Sequence, residues 1–191
     1  VYEEAITYRA IADQIISTKQ GANKEIEPEA LLAAKQQYRK AGDALAKSAK
    51  LRFDSKRYCD TLWEAIEAYQ LSGQFELCIE LLENYLRYEQ RSMQPRALLA
   101  MGKARLATGK AAESLSPLVE CIVEFPRDPL RYDARLAAAM ANAELNRFDD
   151  AKQLLDANLS DGGLTPESTV WRDSLYALGD LLFRQGHEGH L

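Results

Sequence analysis

The chain has 191 residues, 47% hydrophobic and 28% charged, which is the make-up of a packed protein with one or two domains rather than a disordered one. Its formal charge of −5 argues against a surface built to neutralise nucleic-acid phosphates, and no run approaches the ~18 consecutive apolar residues of a membrane-spanning helix. Cys59, Cys78 and Cys121 are odd in number and widely spaced, offering neither a disulfide framework nor a C-x-x-C pair, so they read as reduced, packed thiols.

In chain order, Tyr8, Ile11, Ala12 and Ile15 recur at helical spacing and predict an amphipathic helix over 1–18. A polar stretch follows, and Pro28 then stands in the first turn of a second helix with the stripe Leu31, Ala34, Tyr38, Leu45 and Ala49. Together they predict a long helical hairpin over 1–56. The second helix and its continuation to 57 carry Lys35, Arg39, Lys40, Lys47, Lys50, Arg52, Lys56 and Arg57 against only Asp43 and Asp54. Two readings are open for this basic stretch. It could meet an acidic partner or a phosphate backbone, or it is a solvated face in which Asp43 supports Lys47 one turn on. No aromatic residues interleave it as a single-strand binding platform would need, so the solvated face is preferred.

After Phe53 and Asp54, a plausible capping position, a pattern begins that aligns on the turn residues Gly73, Gly109, Asn146 and Gly186. Eleven residues before each turn stand Leu62, Leu98, Arg135 and Leu175; eight before, Ala65, Met101, Ala138 and Leu178; seven before, Ile66, Gly102, Ala139 and Gly179. Two after come Phe75, Ala111 and Phe148; five after, Cys78, Ser114 and Ala151; nine after, Leu82, Leu118 and Leu155. Each class has a physical reason. Gly and Asn tolerate the left-handed conformation by which helices end. Small residues such as Gly102, Ala139 and Gly179, facing Cys78, Ser114 and Ala151, let two helices cross closely. Pro126 cannot continue a helix and closes the clearest copy, 95–126.

On these residues the chain resembles the tetratricopeptide repeat (TPR) family over roughly 58–188. The resemblance implies an all-α fold, an α-α superhelix: a right-handed solenoid of antiparallel helix hairpins. The expected division is a hairpin at 1–56 packed on an array at 57–191, with repeats near 57–93, 94–128 and 129–164 and the first helix of a further repeat at 165–186. The chain departs from the pattern at Arg135, where an apolar residue is usual, and in the longer loop 159–166. The last helix is expected to start with Thr165 as cap and Pro166 in its first turn, carrying Trp171, Leu175, Leu178 and Leu182. A chain that opens on Val1 and ends in mid-pattern is expected to be a piece of a longer protein, with a second helix following Gly186.

Chemistry-bearing motifs are sparse. His187 and His190 have a metal-ligand spacing but no third ligand, and they read as a terminal tail, so no metal is expected. Asp149 and Asp150 open a helix, where acids complement the helix dipole. No phosphate loop, dinucleotide fingerprint, nucleophile elbow or H-E-x-x-H is present, so no enzyme and no cofactor are expected. The resemblance instead implies a concave face lined by the first helices of the hairpins, at Asp60, Trp63, Glu67, Arg96, Leu99, Lys103, Asp133, Leu136, Met140, Asp173, Tyr176, Asp180 and Phe183. The partner-binding candidates are Trp63, Glu67, Arg96, Leu99, Lys103, Leu136, Met140, Tyr176, Asp180 and Phe183, with Trp63 the leading anchor. Acids outnumber bases on this face, so a basic or mixed protein or peptide ligand is expected. The alternatives are a regulatory or spacer domain of a longer enzyme or membrane-anchored protein, and nucleic-acid binding through 35–57.

Overall fold

The computed structural model describes residues 1–18 and 26–188, with side chains up to 186. The helices fall into two compact units, Val1–Glu89 and Gln90–Leu191.

In the first unit α1 (Tyr2–Thr18), α2 (Pro28–Leu51), α3 (Tyr58–Ser72) and α4 (Phe75–Tyr88) follow one another, and α2 packs on both α1 and α3. Alanines make those contacts: Ala5 and Ala12 of α1 and Ala34, Ala41 and Ala49 of α2 are fully buried. Helix axes joined through alanine approach closely, and the larger apolar residues are left at the flanks. Ile11 and Leu31, expected in the buried stripes, are therefore 39% and 37% exposed. Gly42 serves the same close approach, since a Cβ there would lie 2.6 Å from the Tyr69 ring. Two phenols tie the hairpins together. Tyr38 donates to Asp13 at 2.5 Å and Tyr69 to Asp43 at 2.9 Å, so Asp43 serves α3 rather than supporting Lys47. A turn precedes α3, whose flanking residue is Arg57, so Asp54 does not cap it. Gly73, at φ 75°, closes α3 as its residue type predicts.

The second unit holds a 3-10 turn (Arg91–Met93), α5 (Gln94–Ala107), α6 (Ala111–Glu124), α7 (Leu130–Glu144), α8 (Phe148–Leu159) and α9 (Thr169–Glu188). Each helix packs on the next, and α7 also touches α5 and α9, which sets these three helices side by side. Gly109 (φ 73°) and Asn146 (φ 57°) make the expected left-handed turns. Gly102 is a notch for Leu118: a Cβ there would overlap Leu118 Cγ and Cδ2 and stand 3.0 Å from Cδ1, and Leu118 is fully buried.

Pro117 lies inside α6 and has no N–H for the carbonyl one turn back, that of Glu113. Arg105 of α5 donates to that Glu113 oxygen at 2.9 Å, so a neighbouring helix supplies what the proline removes. The two departures from the repeat pattern also prove to be coupled. Arg135 reaches Asp161 in the long α8–α9 loop at 3.2 Å, and the same carboxylate accepts from Arg131 at 3.0 Å, Tyr132 at 2.9 Å and the Gly163 N–H at 3.0 Å. Asn158, fully buried, donates to Tyr132 O at 2.9 Å and Ser174 Oγ at 3.1 Å, joining α8 to α7 and α9.

The end of the chain differs from expectation in three ways. Thr165 and Pro166 lie in a turn; the helix starts at Thr169, and the Trp171 N–H donates to Ser168 Oγ at 3.3 Å, so Ser168 supplies the cap. Gly186 is inside α9 rather than at a turn. Gly179, placed to accept a crossing helix, has nothing within 4 Å of a Cβ built on it, and Leu175 and Leu182 beside it are 49% and 47% exposed.

Candidate functional site

The most enclosed surface feature of interest lies between α7 and α9, over α8. In α7 the alanines at 134, 137, 138 and 141 are buried toward neighbouring helices, which leaves Leu136, Met140, Ala143 and Glu144, one helical stripe, on the open side. From α9 a matching stripe of Asp173, Tyr176, Ala177, Asp180 and Arg184 faces them. The floor is Ala139, Leu155 and Leu181, each 2% exposed or less and part of one hydrophobic cluster with Ala151. The groove has a volume of about 380 Å3. Its apolar walls are exposed, with Met140 at 52% and Tyr176 at 81%.

The charges at its edge are unequal in their commitments. Arg184 donates to the Ala143 carbonyl at 3.1 Å and its guanidinium lies 5.8 Å from the Phe148 ring centre, so the groove's one cation is engaged by the protein itself. Glu144, Asp173 and Asp180 are exposed, and among the described residues none of them takes part in an ion pair.

Of the candidates named from sequence, the fold therefore gathers Leu136, Met140, Tyr176 and Asp180 around one cavity, with Asp173 beside them. Phe183, 67% exposed, is on α9 but outside its lining. On α5, Leu99 is only 8% exposed and presents little surface, Arg96 is half-buried, and Lys103 is held 3.3 Å from Asp133 of α7. Trp63 and Glu67 are in the first unit and engage each other: the indole N–H donates to Glu67 Oε1 at 2.9 Å, the indole ring leans on Tyr85 at 5.3 Å, and Arg9 pairs with Glu67 at 3.3 Å. Trp63 is half-buried, so the leading sequence candidate spends part of its surface inside its own unit.

The basic stretch proves to have aromatic neighbours after all. Phe53, Tyr58 and Tyr88 form an edge-to-face cluster with centroids 5.0, 5.3 and 5.7 Å apart; Tyr88 arrives from α4, thirty residues beyond Tyr58. These rings pack against one another rather than opening flat faces. Arg52 lies 4.6 Å over Tyr2, and Lys40 5.7 Å over Tyr8, so part of the basic face covers α1.

Among the described residues no group of three or more His, Cys, Asp or Glu side chains could hold a metal, and no helix is long and apolar enough to cross a membrane. The imidazoles of His187 and His190 lie outside the described side chains. Asp149 and Asp150 sit in the first turn of α8. Cys78 and Cys121 are buried, which pushes their thiols up to about 12 and about 11, and each sulfur lies 3.6 Å from a backbone carbonyl, of Ile66 and Pro95. They pack in the core and are not nucleophiles.

No protein-family model and no curated protein matches this chain. Two crystal structures are similar to it, both of a Podosopora anserina protein described as a kinesin light chain with nearly identical TPR-like repeats. One superposes with a TM-score of 0.66 at 18% identity and the other with 0.64 at 19%; each alignment covers 97% of this chain and 88% of the other. At that identity the likeness is one of fold, and the chain has the all-α, TPR-like hairpin fold.

Proposed function

We propose that the chain is a non-catalytic scaffold that binds a peptide or a folded partner on the face formed by the first helices of its hairpins. TPR-like hairpin folds are generally scaffolds and are commonly used for protein interaction, which supports the reading at the level of fold. The observation that carries it further is the groove between α7 and α9. Met140 and Tyr176 stand 52% and 81% exposed over a closed apolar floor, an arrangement that gains stability when a second apolar side chain covers it. Completing the burial of either side chain is worth about 1–2 kcal/mol by area, the scale at which a few anchors set an interface. The proposed domain plan is unchanged: a hairpin at 1–56, three repeats to 164, and the first helix of a further one.

Peptides selected from a random displayed library against the intact protein provide the test. Their affinity is expected to fall about tenfold or more with Tyr176→Ala or Met140→Asp. Selected peptides whose binding is unchanged in both variants would place the site elsewhere and refute the reading.

A further inference from the structure

We propose that the α7–α9 groove takes a basic segment of a partner protein, in which one apolar side chain sits on Met140 and Tyr176 between two cations that meet Asp173 and Asp180. The proposal rests on the reading of this groove as the binding face and adds to it the chemistry of the occupant.

The argument is one of charge complementarity. Three exposed carboxylates, Glu144, Asp173 and Asp180, rim an apolar floor, and no ion pair among the described residues reaches any of them. Arg184 would be their natural counter-charge, but it is turned to the Ala143 carbonyl and the Phe148 ring. An acidic segment docking here would bring like charges together within about one Debye length, ~8 Å in physiological salt, and be repelled. A neutral one would gain only the apolar contact. Lysine or arginine on either side of the apolar anchor answers both demands at once. The register follows from α9: Asp173 and Asp180 are seven residues apart, about 10 Å along a helix, and Tyr176 lies between them. A partner matching that span carries its cations about seven residues apart if helical, or about three if extended.

The test uses fluorescein-labelled helical peptides with one leucine bracketed by two lysines seven positions apart, and the same peptide with glutamines or glutamates in place of the lysines. Anisotropy titrations on the full chain are expected to rank lysine over glutamine over glutamate, with steps of about tenfold that shrink between about 50 mM and about 300 mM salt. Asp173→Lys/Asp180→Lys is expected to invert the ranking. Glu29→Lys/Glu80→Lys, an equal change of net charge on exposed sites of the first unit, is expected to leave it in place. Far-UV circular dichroism confirms that each variant is folded. If the three peptides bind alike and Met140→Asp abolishes them all, the groove stands as a binding face and the basic-partner proposal fails. If the lysine peptide binds but is lost equally in both charge variants, attraction to net charge explains it and the proposal fails. If no peptide binds, the groove reading and the proposal fail together.

Discussion

Gly102 and Gly179 occupy the same position of the repeat pattern, one filled and one open, and the same substitution at both should have opposite consequences. An added Cβ at Gly102 overlaps Leu118, whose side chain is fully buried and has no free direction in which to move. Overpacking of this kind costs about 1–3 kcal/mol, while replacing a mid-helix glycine by alanine returns about 1 kcal/mol of helix propensity. Gly102→Ala is thus expected to be neutral to about 2 kcal/mol destabilising. At Gly179 nothing lies within 4 Å of the added atom, so only the propensity gain remains and Gly179→Ala should stabilise by about 1 kcal/mol. The difference between the two variants isolates the steric contribution, about 1–3 kcal/mol, because propensity cancels. Urea unfolding followed by Trp171 fluorescence in a Trp63→Phe background reads the second unit alone. A further check is Leu118→Ala, which should cost less in the Gly102→Ala background than alone by about 1 kcal/mol, since the clash is relieved. Equal shifts of midpoint for the two alanines would refute the notch.

Three other outcomes are expected. Asp161 is held below its ordinary 3.8 by the Gly163 N–H and then the Tyr132 hydroxyl, so its contribution is intact above that value and lost as pH falls through the lower folded one; unfolding midpoints between pH ~4 and ~2 should fall more steeply for the wild type than for Asp161→Asn. Thiol labelling of the native protein should modify half-buried Cys59 first, with Cys78 and Cys121 reacting only on unfolding, as burial and their raised thiol pKa values require. Arg105→Met should cost about 1 kcal/mol in the wild type and much less in a Pro117→Ala background, where the restored N–H serves the Glu113 carbonyl, as double-mutant unfolding will measure.

What could be read from sequence followed the locality of its cause. Gly73, Gly109 and Asn146 announce turns because the left-handed conformation selects residue type at a single position, and all three adopt it. Gly102 announces a close crossing for the same reason. Arg135 and the long loop looked like two unrelated departures, because the carboxylate that joins them, Asp161, is 26 residues from Arg135. The α9 start was misplaced because Thr165-Pro166 and Ser168 offer competing caps a few residues apart, and packing of α9 on α8 decides between them. Periodicity placed Ile11 and Leu31 in the core since it counts hydrophobicity, whereas an alanine-lined crossing excludes larger side chains. In the candidate site, α7 and α9 positions were legible from helical register. Leu99 was not, because its burial depends on neighbouring helices, and the pairing of Trp63 with Glu67 was within reach through their i, i+4 spacing.

The uncovered Leu175–Gly179–Leu182 stripe also bears on how the groove behaves in time. Helix α7 is held by α5, α6, α8 and α9, whereas α9 leans on α7 and α8 and leaves a second apolar stripe in water. One wall of the groove is therefore anchored and the other is held more lightly. In hydrogen exchange the amides of α9 should open first in the second unit, at a lower free energy than those of α7. A ligand bridging Met140 and Tyr176 would slow that opening and couple occupancy of the groove to the ordering of its own weaker wall.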